Sequence, residues 1–108
     1  MTFNDYQAAA AKTAIYPKEN SIAYLGLGLT GEAGEVADKI KKDLRDHGGE
    51  FGPDTVSDLI LEMGDVLWYL SAMARELGFT LDQVAKFNLM KIEARQHRGT
   101  LHGSGGDR

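Results

Sequence analysis

Apolar residues recur at helical spacing through most of the chain. Leu59, Met63, Val66, Leu70 and Leu77 fall on one stripe at about 100° per residue, which predicts an amphipathic helix with that stripe facing the protein interior. Leu61 and Trp68 lie seven residues apart and roughly opposite the stripe, so the same helix has a second apolar side. A helix with two apolar sides needs two partners, and in so short a chain the second is expected to be another copy, paired about a two-fold axis. No segment alternates β-branched and polar residues at period 2, so no strand is predicted.

Start and stop signals divide the pattern into four helices. Thr2 caps a first helix that runs through the alanine-rich stretch to about Ala14, where Tyr16-Pro17 interrupts it, because proline disfavours helix in the preceding residue. A second runs from Asn20 or Ser21 to Asp46 and is closed by Gly48-Gly49. Thr55 with Asp58 opens a third, which continues through Leu77 and stops at Gly78. Thr80 with Gln83 forms a capping box for a fourth, extending to about Gln96. The fold expected is all-α and of four-helix-bundle type, assembled as a homo-oligomer. One domain spans residues 1–98, and a tail over 99–108 holds four of the thirteen glycines.

Composition narrows the chemistry. With no cysteine, disulfides, thiolate nucleophiles and zinc–sulfur sites are excluded together, and a cytoplasmic address is the expectation. No run of about 18 apolar residues is present to span a bilayer. A net charge of -4 argues against nucleic-acid polymers as partners. The charge is uneven, however: acids cluster from Glu32 to Asp65, whereas Lys86 to Arg98 is mostly basic. That division suits a metal together with an anionic small molecule.

The second helix carries Glu32 and Glu35, and the third carries Glu62 and Asp65. Positions three apart share a helix face, so each pair presents two carboxylates side by side. Acids at this spacing usually mark a solvated face, but here Glu62 and Asp65 lie at the edge of the apolar stripe and point inward or nearly so. Four converging carboxylates require a positive partner, and a hard cation, Mg²⁺ or Mn²⁺, suits oxygen ligands with positions left open for water and phosphate. A di-iron carboxylate bundle would need Glu-x-x-His, which neither pair supplies, and His47, His97 and His102 fall at helix ends or in the tail. The string Gly26-x-Gly28-x-x-Gly31 matches a dinucleotide fingerprint but lacks the flanking strands, so those glycines are expected to permit close helix packing or to loosen the helix before the acids. On the fourth helix, Asn88, Lys91, Arg95 and Arg98 make one polar, basic stripe, and Lys39 and Lys42 continue the Glu32 face on the second. Each alone reads as surface solvation. Beside a metal they supply counter-charge for phosphate oxygens. Trp68 reads as packing, while Tyr69, seven residues after Glu62, is the better ligand candidate.

Three segments, Gly31-Glu-Ala-Gly-Glu-Val36, Glu62-Met-Gly-Asp-Val-Leu-Trp-Tyr-Leu70 and Asn88-x-x-Lys91-x-x-x-Arg95, resemble the MazG-like all-α nucleoside triphosphate pyrophosphohydrolases, in particular their short single-domain forms. The closing run from Arg98 to Arg108 is similar to the tail of those forms. The resemblance covers the chain from about Leu25 onward. It implies that Glu32, Glu35, Glu62 and Asp65 bind Mg²⁺, that Lys39, Asn88, Lys91 and Arg95 are substrate-side candidates, and that the subunits form dimers or tetramers. The residues themselves add Lys42 and Tyr69 on the site helices, Arg98 on the basic stripe and Arg108 in the tail to those candidates. It also implies cleavage of a nucleoside triphosphate to the monophosphate and pyrophosphate, for nucleotide-pool control or house-cleaning. Of the four acids, Glu35 is the expected base that activates water. The rival expectation is a non-catalytic module that binds a nucleotide, or assembles helices around a structural cation, without turnover.

Overall fold

The computed structural model describes residues 1–99, which form α1 (Phe3–Ala11), α2 (Ser21–His47), α3 (Pro53–Glu76) and α4 (Leu81–Arg98). Among the described residues there is no strand, and no helix is long and apolar enough to cross a membrane.

Local chemistry sets most helix limits. Thr2 Oγ1 accepts the Asp5 N–H at 3.0 Å while the Asp5 carboxylate accepts the Thr2 N–H at 3.1 Å, and Thr80 and Gln83 repeat this reciprocal cap at α4. Gly48 and Gly78 adopt the left-handed backbone that ends α2 and follows α3. Helices α2 and α4 run one and about two residues past their expected ends, and two other limits differ by about three. The α-helical bonding of α1 stops at Ala11 rather than near Ala14, because the amides of Lys12, Thr13 and Ala14 each bond three residues back in a tighter turn. Helix α3 begins at Pro53, after Gly52, and not at a Thr55 cap. Proline at the first position has no N–H to satisfy and its φ is already helical. The Thr55 hydroxyl instead donates 2.7 Å across to the buried Asp43 carboxylate on α2.

The α2–α3 register follows from its side-chain pairings. Asp43 meets Thr55, Lys39 meets Asp58, and Gly26 lies against Met73, so the partners run in opposite directions along the two helices. Helix α3 is central: α2 packs along it, α1 packs on it and on α4, and α4 does not reach α2. The buried centre is small, with Tyr16, Leu25 and Ala72 surrounded by Ala14, Trp68, Tyr69 and Met73. Gln7 ties α1 to the α3–α4 junction from a buried position.

The stripe expected inside is in large part outside. Met63 is 55% exposed, Leu77 58% and Leu70 39%, because one chain brings only α2 along the length of α3 and cannot cover both its apolar sides. Trp68 is satisfied within the chain: its indole N–H donates to Thr13 Oγ1 at 2.9 Å, and its ring meets Tyr16 and Tyr69 edge-on. Leu61, its expected companion on an assembly face, is 70% exposed. The radius of gyration is 16.6 Å, whereas a closed domain of this length has one of about 13 Å.

Candidate metal centre

Glu62 and Asp65 stand one helical turn apart on α3, and the antiparallel register brings Glu32 of α2 opposite them. One carboxylate oxygen from each of the three lies within 4.8 Å of the others. Glu32 and Glu62 are half-buried, and Asp65 is open to solvent. Two full charges about 5 Å apart repel by roughly 3 kcal/mol at an effective dielectric near 20, less where solvent screens one of them. The Glu32 carboxyl records the strain: burial first, then the charges of Asp65, Glu62 and Glu35, hold its pKa above the ordinary value. An all-oxygen donor set with mutual repulsion and one exposed side is suited to a hard divalent cation that retains water.

Glu35 is exposed and near enough to act on Glu32 through its charge, but it is not one of the three converging carboxylates. Further along α2, Lys39 Nζ lies 4.0 Å from Asp58, and Lys42 Nζ lies 2.8 Å from Asp38, which also holds Lys41 at 3.2 Å. These lysines flank the acids at a distance of two to three helical turns.

Tyr69 lies one turn beyond Asp65 on α3, with its ring seated over Gly28 of α2. Its phenol pKa is raised by burial, then by the Tyr24 phenol and by the carboxylates of Glu32 and Asp65. Tyr6 of α1 likewise has a raised pKa, through burial and then through Asp65. Tyr6 and Tyr24 are therefore neighbours of the centre that the sequence reading missed. Extending the Glu32 face backwards through Gly28 reaches Tyr24 at i−8. Nothing in the sequence pairs Tyr6 with Asp65.

The basic stripe of α4 sits elsewhere in the chain. Asn88 and Lys91 line a groove of about 450 Å³ with Ala74, Leu77, Phe79 and Phe87. Ala74 is nine residues from Asp65 along α3, about 13 Å of helix. Arg95 is buried and Arg98 exposed near the end of α4, and Arg108 lies outside the described residues. On the other side, Ala33 and Val36 of α2 and Ile60, Met63, Leu67 and Leu70 of α3 line an apolar groove of about 530 Å³.

Fold and site together define an all-α protein with a carboxylate cluster between two antiparallel helices. The family model of the MazG nucleotide pyrophosphohydrolase domain matches residues 20–100, which include α2, α3 and α4 complete, and the chain belongs to this family. It is similar to the Gene 37 protein of Mycobacterium phage L5, with 43% identity over 109 residues that cover 95% of this chain and 96% of the phage protein. No solved structure matches it.

Proposed function

We propose that the protein hydrolyses (deoxy)nucleoside triphosphates to the nucleoside monophosphate and pyrophosphate, with Mg²⁺ or alternatively Mn²⁺, in nucleotide-pool control or house-cleaning. The observation that carries this reading is the convergence of Glu32, Glu62 and Asp65 within 4.8 Å, in a chain whose family is defined by a nucleotide pyrophosphohydrolase domain.

Glu32, Glu62 and Asp65 hold the metal, and Glu35 joins them from the adjacent turn of α2. A bound divalent cation neutralises phosphate oxygens and makes water a better nucleophile. Glu35, exposed beside the cluster, accepts the proton of the attacking water and directs it in line at phosphorus. Lys39 and Lys42 exchange their aspartate partners for phosphate oxygens, and the Tyr69 hydroxyl faces the same anion.

The remaining substrate-side candidates enter through assembly. Helix α4 does not reach α2 within one chain, so we assign Asn88, Lys91, Arg95 and Arg98 to the site across a homo-oligomeric interface. An extended monomer with Ile60 60% and Leu61 70% exposed supports such an assembly, because a second copy covers apolar surface that one chain leaves in water.

The test is incubation of purified protein with a panel of ribo- and deoxyribonucleoside triphosphates and Mg²⁺, followed by product identification. Monophosphate and pyrophosphate, formed only with divalent metal, are expected. Orthophosphate as the first product, or full turnover in excess chelator, refutes the reading, and tight nucleotide binding without turnover favours the non-catalytic module.

A further inference from the structure

We infer that Gly28 is a positioning residue for the site: the missing side chain is the seat that holds the Tyr69 ring against the end of the carboxylate cluster. This rests on the reading of the cluster as the reaction centre, and it gives a role to a glycine that dinucleotide binding does not explain.

A methyl group on Gly28 would fall 2.5 Å from Tyr69 Cζ and 2.8 Å from Cδ1, with Cε1 closer still, well inside van der Waals contact. The obstacle is the aromatic ring itself rather than the far end of a flexible chain. By contrast, a methyl on Gly31, Gly34 or Gly64 would meet nothing within 4 Å, and one on Gly26 would make ordinary contact with Met73 Cε at 3.7 Å. Of these five helical glycines, only Gly28 is required by a neighbour.

The register explains why that neighbour matters. Gly28 and Glu32 are i and i+4 on α2, and Asp65 and Tyr69 are i and i+4 on α3, so each pair is stacked on one helix face. With the helices antiparallel, the two pairs form adjacent tiers: Glu32 opposite Asp65, and Gly28 opposite Tyr69. Tyr69 thus closes one end of the carboxylate cluster, and Trp68 meets its ring edge-on at 5.1 Å. An alanine at position 28 would push the ring off α2, with the carboxylate tier next to it. Glycine inside a helix is otherwise unfavourable relative to alanine, so two opposing effects of one substitution can be separated by experiment.

Four proteins suffice: wild type, Gly28→Ala, Tyr69→Ala and the double variant, compared by thermal unfolding, Mn²⁺ binding calorimetry and steady-state hydrolysis at 25 °C. Gly28→Ala is expected to lower Tm with Tyr69 present and to raise it in the Tyr69→Ala background, where only the helix preference for alanine remains. At 25 °C, with all variants folded by circular dichroism, Gly28→Ala should lower kcat and Mn²⁺ affinity by about tenfold each, as loss of a group that orients metal ligands does. Tyr69→Phe loses the hydrogen bond with Tyr24 but should keep Mn²⁺ affinity and lower Tm less than Gly28→Ala does, because its ring still fills the seat. A Gly28→Ala variant that raises Tm in both backgrounds refutes the seat. One that lowers Tm but leaves both kcat and Mn²⁺ affinity unchanged refutes positioning and leaves a packing role only. If the wild type hydrolyses no triphosphate, the proposed reaction fails, while Tm and Mn²⁺ affinity still decide on Gly28.

Discussion

Gln7 Oε1 accepts the backbone N–H of Leu81 at 2.9 Å across 74 residues of sequence, and the same side chain donates from Nε2 to the carbonyls of Ser71 at 3.1 Å and Phe79 at 3.2 Å. One buried amide therefore fastens α1 to the end of α3 and the start of α4. Gln7→Ala should lose about 2–4 kcal/mol, since it orphans polar backbone at a helix start as well as opening a cavity. Urea unfolding followed by circular dichroism measures this. A loss below about 0.5 kcal/mol, the scale of an ordinary surface change, would show that the clamp is not structural.

The acids should separate stability from activity. Asp65→Asn removes a charge that acts on Glu32, so the metal-free variant should melt no lower than wild type, while pyrophosphate release falls at least about 100-fold. Glu35→Gln should show a comparable loss of turnover with metal affinity falling less than in Asp65→Asn, because Glu35 stands outside the three converging carboxylates. Near-normal rates in both variants would place the reaction elsewhere.

A pH dependence follows from Glu32, whose pKa is raised by burial and then by the neighbouring acids. The folded state keeps this proton to higher pH than the unfolded chain does, so between the two pKa values the native state binds more protons and stability falls as pH rises. The contribution is complete below the unfolded value of 4.5 and lost as pH climbs through the raised folded value. Metal-free Glu32→Gln should therefore gain on wild type from pH 4.5 upward. Mn²⁺ affinity of the wild type should weaken as pH is lowered through the same interval, because proton and metal compete for one carboxylate. A stability difference between the two proteins that does not vary with pH would rule this out.

For assembly, Ile60 is the informative position. It lines the apolar groove beside Ala33 and Val36, yet it is 60% exposed in the single chain, so a charge there disturbs little within one subunit. Light scattering on the wild type should give a multiple of 11.8 kDa, and Ile60→Lys should shift it toward the monomer. If the oligomer completes the site, activity should fall together with mass. A monomeric wild type at micromolar concentration would remove the basis for assigning α4 to a neighbouring subunit.

Features built from neighbours within about four residues were legible in the chain. The cap at Thr2, the reciprocal cap at Thr80, the glycine stops at Gly48 and Gly78, and the face shared by Glu62 and Asp65 all depend on bonds or spacings inside one helix. Thr55 misled because its hydroxyl had two uses, a cap on its own helix or a bond to Asp43 twelve residues back, and burial of Asp43 against α3 selected the second. The stripe through Met63, Leu70 and Leu77 was correctly apolar, but periodicity states only that a face requires cover and not that the same chain provides it. Tyr6 beside Asp65, Tyr69 over Gly28 and the separation of α4 from α2 depend on how helices far apart in sequence slide past one another. That register is set by side-chain shape at close approach, where one missing methyl group admits a ring, and helical periodicity carries no information about it.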